Sequence, residues 1–303
     1  MGRLLGVAAV QMAPVPWDPA ASLKKLADTS AQVVAQFPWA DLLLFPELCV
    51  TGFAPFVPKP DGMPDRAEPI AGPTSDALRA LARKVGRWIV PGSLLESADG
   101  RTYNTALVIS PDGEIRARYR KMFPWRPFEH VSAGDSFCVF EIPDIGTLGL
   151  CICYDMWFPE VARTLCWMGA EVILTPSATA TPDRPAEMLL CQANAIFNQC
   201  FFVDANLTGP FGGGGSLIAD PDGRLLQRAD QHETILAQIL DLDAVSRARE
   251  QGTPGLNPLW KILRDSSVPF PPYTQGIAAG PMVKALGPLQ GTLQGPTPGS
   301  SWR

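Results

Sequence analysis

Two periods govern the placement of apolar residues along this chain. Residues 4–12 are almost continuously apolar, with Leu4, Leu5, Val7, Ala8, Ala9 and Val10 in sequence, as in a strand covered on both faces. After Asp18, a natural helix cap, Leu23, Leu26, Ala27, Ser30, Val33, Val34 and Phe37 recur at helical spacing. A short buried strand at 41–45 is stopped by Pro46. Residues 51–66 are rich in Pro and Gly and read as an ordered loop, and 74–85 as a second helix. Strands are predicted at 88–95, 102–110 and 114–121, the last two joined by a Pro111-Asp112-Gly113 turn. Further strands fall at 136–141, 148–153, 171–175, 201–206, 216–219, 225–228 and 234–240. Helices fall at 158–168, 184–197 and 243–250.

Two segments echo earlier ones. Ala40-Asp41-Leu42-Leu43-Leu44-Phe45-Pro46 resembles Ala170-Glu171-Val172-Ile173-Leu174-Thr175-Pro176. Leu107-Val108-Ile109-Ser110-Pro111-Asp112-Gly113 resembles Leu217-Ile218-Ala219-Asp220-Pro221-Asp222-Gly223. The offsets differ, which excludes a short solenoid repeat and suggests two similar α/β halves in one domain. That domain is expected to span residues 1–272. From Tyr273 to the end, 273–303, the chain is mostly Gly, Pro, Ala and Gln, a tail without a core of its own that would lie across the body or a partner subunit.

Composition narrows the function classes. The 303 residues are 46% hydrophobic, enough for a large core. The net charge is −5 with no basic stripe, so nucleic acid is not an expected partner. The N-terminal run is short and interrupted by Gln11, unlike a signal peptide, and no apolar run reaches the roughly 18 residues of a membrane span. No membrane association and a cytoplasmic location are therefore expected. The seven cysteines lie mostly in apolar runs and fit reduced core thiols. With two histidines, His130 and His232, and no Cys-x-x-Cys pair, neither a metal nor a cofactor is expected.

Three places carry chemistry. In Leu148-Gly149-Leu150-Cys151-Ile152-Cys153-Tyr154-Asp155 an apolar strand runs into a cysteine and then a helix. A thiol there projects from the sheet edge, where following backbone N–H groups can face an oxyanion. Cys151, on the opposite face of the same strand, suits ordinary core packing. In Leu42-Leu43-Leu44-Phe45-Pro46-Glu47 a carboxylate follows a buried strand, and partial burial would raise its pKa and make it a useful base. In Tyr119-Arg120-Lys121-Met122-Phe123-Pro124-Trp125-Arg126-Pro127-Phe128-Glu129 an ammonium at a strand end is followed by bulky apolar residues that exclude water. Glu129 would hold Lys121 or bind a substrate amide nitrogen.

Singly these are ordinary features. Together, Phe45-Pro46-Glu47, Tyr119-Arg120-Lys121 and Cys153-Tyr154-Asp155-Met156 followed by Phe158-Pro159-Glu160 resemble the three signatures of the nitrilase-like carbon–nitrogen hydrolases, in the family's order, with the likeness covering about residues 4–272. The resemblance implies a four-layer α-β-β-α sandwich, commonly paired through helices into a homodimer or a higher even oligomer. It implies Glu47 as general base, Lys121 as oxyanion stabiliser and Cys153 as nucleophile, with Glu129 as a fourth catalytic residue. Tyr154 stands where true nitrilases have Trp, which favours a small-molecule amide substrate; N-carbamoyl or nitrile hydrolysis, or a catalytically silent binding protein, are the alternatives. Tyr154, Trp157, Trp125 and Phe53 are expected to line the substrate pocket, with Phe56 and Phe211 as further apolar candidates. Omega-amidase-like members usually carry Arg at the position of Trp157, so an uncharged, compact acyl group is expected over a carboxylate-bearing one. Arg126 or Arg184 would have to supply the missing cation. A Cys–His protease would instead need His130 or His232 as base.

Overall fold

The computed structural model describes residues 2–51 and 67–287. The first half is built from β1 (Leu4–Gln11), α1 (Pro19–Gln36), β2 (Leu42–Leu44), α2 (Pro73–Val85), β3 (Trp88–Val90), β4 (Ser93–Ala98), β5 (Arg101–Ile109) and β6 (Ile115–Arg120). The second comprises β7 (Cys138–Ile142), β8 (Gly146–Leu150), α3 (Pro159–Trp167), β9 (Val172–Ser177), α4 (Arg184–Asn198), β10 (Phe201–Asn206), β11 (Leu217–Ala219) and β12 (Leu225–Arg228). β13 (Thr234–Asp241), α5 (Asp243–Gln251), α6 (Leu259–Asp265), α7 (Pro271–Gln275) and α8 (Pro281–Lys284) follow.

One sheet has the order β13-β1-β2-β3-β5-β4, with β6 also on β5; the other has the order β12-β11-β10-β9-β8-β7. Period-two alternation sorts each strand's side chains between layers. Leu5, Val7, Ala9, Leu42 and Leu44 meet Leu148, Leu150, Val172 and Leu174 between the two sheets. The intervening residues Ala8, Val10 and Leu43 pack with Leu26 and Val33 of α1 and Leu78 of α2. Ile173 and Phe202 pack with Leu165 of α3 and Cys191 and Ala195 of α4. The result is the expected α-β-β-α sandwich.

The two sequence echoes mark a shared topology. β1, β2 and β3 are parallel and lead into the antiparallel β5–β6 hairpin. β8, β9 and β10 are parallel and lead into the antiparallel β11–β12 hairpin. β2 and β9 hold the first echo, and the hairpin turns at Gly113 and Gly223 hold the second.

Three local expectations change. The strand expected over 88–95 is broken at Pro91-Gly92. Gly92 has φ +78, and a Cβ there would lie 1.8 Å from the Pro46 carbonyl oxygen, so the backbones can approach only without a side chain. The strand expected over 148–153 ends at Leu150, and Cys153 opens a 3-10 turn, Cys153–Trp157. The short helix α6 was not expected, α7 and α8 lie in Pro- and Gly-rich sequence that disguised them, and the Tyr273 ring lies 5.8 Å from that of Trp167. No helix among the described residues is long and apolar enough to cross a membrane.

Candidate active site

Three parallel strands deliver the site from their C-terminal ends, where open α/β sheets gather ligands. Glu47 follows β2, Cys153 follows β8, and Ala178 and Thr179 follow β9. The Glu47 N–H donates to the Ser177 carbonyl across the two sheets at 3.2 Å, fixing one crest against the other. Lys121 follows β6 and extends its ladder, its N–H donating to the Asn104 carbonyl at 2.9 Å.

Lys121, Glu47 and Glu129 are each no more than 2% exposed. The Lys121 ammonium donates to Glu47 Oε1 at 2.9 Å and to Glu129 Oε2 at 2.6 Å. Asn104 Nδ2, on β5, donates to Glu47 Oε1 at 2.7 Å and to Glu129 Oε1 at 3.1 Å. Two carboxylates are thus bridged twice, once by a cation and once by a neutral amide. Trp125 N–H also donates to Glu129 Oε2. Asn104 was not among the sequence candidates. Its one sequence signal is a polar pair, Asn104-Thr105, inside an otherwise apolar strand stretch.

Cys153 sits at φ +49, a left-handed conformation that is strained for a residue with a side chain. Asp155 holds that turn. Its Oδ2 accepts from Ile152 N–H at 2.9 Å and Tyr119 O–H at 2.7 Å, and its Oδ1 accepts from Phe123 N–H at 2.9 Å. One buried carboxylate therefore ties the cysteine turn to β6 and to the loop that carries Glu129. The Cys153 sulfur lies 3.4 Å from the Thr179 hydroxyl.

Charge states follow from burial and pairing. Burial pushes the Glu47 carboxyl up, opposed by the Lys121 charge. Burial would lower Lys121, but Glu129 and Glu47 outweigh it and hold the ammonium well above its ordinary range. Burial, reinforced by the Glu47 charge, pushes the Cys153 thiol well up. The site therefore favours a charged ammonium at Lys121 beside a protonated thiol at Cys153. Asp155 is pushed up to about 6, chiefly by burial.

A partly open cavity is lined by Glu47, Lys121, Glu129, Cys153, Trp125 and Tyr154, and further by Ala178, Thr179, Thr181, Asp183 and Glu187. All four residues expected to be catalytic are brought together there, with Trp125 and Tyr154 of the expected pocket. Trp157 is not among the described residues lining the cavity, and its indole N–H donates to Glu187 Oε1, on the cavity wall, at 3.1 Å. Phe211 packs with Trp17 and the α1-side core rather than at the cavity. Phe53 and Phe56 lie outside the described residues. His130 and His232 are exposed and absent from the cavity wall, so neither stands as a base for Cys153.

A family model described as carbon–nitrogen hydrolase matches residues 6–250. An (R)-stereoselective amidase of a Pseudomonas species is 33% identical over 247 residues, covering 79% of this chain and 86% of that protein. The omega-amidase of Mus musculus is 32% identical over 204 residues, 62% of this chain and 74% of its own. Among solved structures, a mutant amidase from Nesterenkonia sp. AN1 shows covalent addition of the acetamide moiety of fluoroacetamide at its active-site cysteine. It is similar to this chain with a TM-score of 0.69 at 26% identity, over 82% of this chain and 94% of that one.

Proposed function

The chain belongs to the carbon–nitrogen hydrolase family as an amidase-type enzyme, and we propose that it cleaves the C–N bond of a small amide through a thioester on Cys153. Glu47 takes the thiol proton as the sulfur attacks the carbonyl carbon. Lys121 and backbone N–H groups at the cysteine turn stabilise the oxyanion. The tetrahedral adduct collapses, the C–N bond breaks, and the proton held by Glu47 leaves with ammonia or an amine. Water then enters, Glu47 removes its proton, and hydroxide attack on the thioester releases the carboxylic acid and restores the thiol.

The observation that carries this reading is the buried Glu47–Lys121–Glu129 chain opening on the same cavity as Cys153. A thiol held protonated by its surroundings needs a base at hand, and the Glu47 carboxyl lines the same cavity as the Cys153 thiol. Glu129 keeps Lys121 charged and placed, and its Oε1 faces Asn104 rather than standing bare. The Nesterenkonia amidase, which carries an adduct on its own active-site cysteine, supports the same role for Cys153. An ammonia-release screen over small amides, run on the wild type and Cys153→Ala, tests the reading. The variant should fold and release none; undiminished release would rule out the thioester.

The acyl group carries no carboxylate in this reading. Arg126 is committed to the carbonyls of Glu129 and Val131, and Arg184 to Glu187 and Asp204, so neither is free to pair with one. We further place the enzyme in the reducing cytoplasm, in keeping with seven unpaired cysteines. We assign it a homodimer or higher even oligomer formed through α3 and α4. Trp167, Met168, Leu189 and Phe197 are exposed on that side, an apolar surface that a second copy would cover. The tail after Tyr273, which begins against Trp167, belongs to the same interface.

A further inference from the structure

A second chain of buried charge borders the cavity. Glu187, on α4 and 2% exposed, accepts from Arg184 Nη1 at 3.0 Å. Arg184 Nη2 reaches Asp204 on β10 and, at 3.0 Å, the Gly215 carbonyl, while Nε donates to the Gly214 carbonyl at 3.0 Å. The Thr179 hydroxyl, 3.4 Å from the Cys153 sulfur, lines the same cavity as Glu187. The Trp157 indole N–H donates to Glu187 Oε1 at 3.1 Å.

Glu187–Arg184–Asp204 has the same make-up as Glu47–Lys121–Glu129: two acidic side chains sharing one cation. Half-buried Asp183 adds another carboxylate to the wall beside Thr181. Among the described residues lining the cavity, Lys121 is the sole cation, and it is already shared by two carboxylates. Among the described residues, acidic side chains thus outnumber cations on the wall beside Cys153, and a fixed charge acts strongly across a partly enclosed site.

We propose that Glu187, with Asp183, makes this an enzyme for amino amides: substrates whose acyl part carries an ammonium a few carbons from the scissile carbonyl. This rests on the amide-hydrolase reading above and deepens it. Glu187 Oε2, with one donor from Arg184, retains a lone pair for a substrate N–H. An ammonium there answers the surplus of acidic side chains. A neutral chain of equal size does not, and a carboxylate adds to it. Discrimination therefore comes from attraction toward one class and repulsion of another. Trp157, expected to meet the substrate, acts as a positioning residue for Glu187.

The test compares kcat/KM at neutral pH for 4-aminobutanamide, its neutral isostere pentanamide, and succinic acid monoamide. The cationic amide is expected to lead pentanamide by about tenfold or more, with the monoamide slowest. In Glu187→Gln the cationic-to-neutral ratio should fall about tenfold. In Asp183→Asn, which alters only a half-buried wall residue and so serves if the first variant does not fold, it should fall about threefold. A wild-type ratio at or below one, or a ratio unmoved in both variants, overturns the proposal while leaving the amide reading intact. Release of ammonia from none of the three amides overturns both.

Discussion

Replacing Asn104 with leucine isolates one contribution to the base. The side chain is fully buried, and its Nδ2 donates to Glu47 Oε1 at 2.7 Å and Glu129 Oε1 at 3.1 Å. Its Oδ1 has no hydrogen-bond partner among the described residues, so Asn104→Leu removes just those two donors. Leucine is similar in size and leaves little room for a substitute water. A hydrogen bond to a charged group is worth about 1.5–3 kcal/mol, so two together cost roughly 3 kcal/mol or more of stability. The donor to Glu47 favours its ionised form; removing it raises a pKa that burial has already raised. The base is then ionised only at higher pH, and the acid limb of kcat/KM moves in the alkaline direction. Ammonia release measured against pH well below KM reads the limb, and a thermal melt reads the stability. A folded Asn104→Leu enzyme whose acid limb has not moved would refute the assignment of Glu47 as the titrating base.

Three further outcomes are expected. Gly92→Ala places a methyl group against the Pro46 carbonyl at a residue with φ +78, so it should destabilise the fold by about 2–4 kcal/mol and lower kcat by displacing Glu47; an unchanged melting temperature and rate would contradict this. Asp155, pushed up to about 6 from 3.8, favours folding below about pH 4, and that contribution is lost as pH rises through about 6, a change of about 3 kcal/mol. Relative to wild type, Asp155→Asn should therefore gain stability in urea between pH 4 and 7 even as it loses activity, because an amide cannot accept all three donors. Phe197→Glu on the exposed face of α4 should convert the oligomer to monomer by light scattering, and a wild type that is already monomeric at micromolar concentration would reject the interface.

Much of this architecture is legible in the sequence because it rests on local pattern. Unbroken apolar runs in Leu42-Leu43-Leu44 and Val172-Ile173-Leu174 mark strands covered on both faces, and the paired Pro-Asp-Gly turns expose the duplicated hairpins. Glu47, Lys121, Glu129 and Cys153 stood out because each follows a buried strand or an aromatic run. What stayed hidden depends on contacts between distant segments. Asn104 is 57 residues from Glu47, and its two-carboxylate bridge exists only once β5 lies beside the β2 crest. Glu187 is three residues after Arg184 and looks like a solvated helical pair until Asp204 and Trp157 enclose it. Trp157 meets the cavity wall through Glu187, a contact set by the 3-10 turn Cys153–Trp157 that is invisible in the sequence. The break at Pro91-Gly92 follows from a close approach to Pro46 that no local signal announces.

The central claim is that Cys153 carries the acyl group. Acid-quenching the enzyme during turnover of a hydrolysed amide, followed by intact-mass and peptide analysis, measures this directly. The account predicts one added acyl mass on the peptide containing Cys153, removable by hydroxylamine as a thioester is, and neither adduct nor turnover in Cys153→Ala. An acyl group on one of the other six cysteines, or continued turnover in Cys153→Ala, would contradict it.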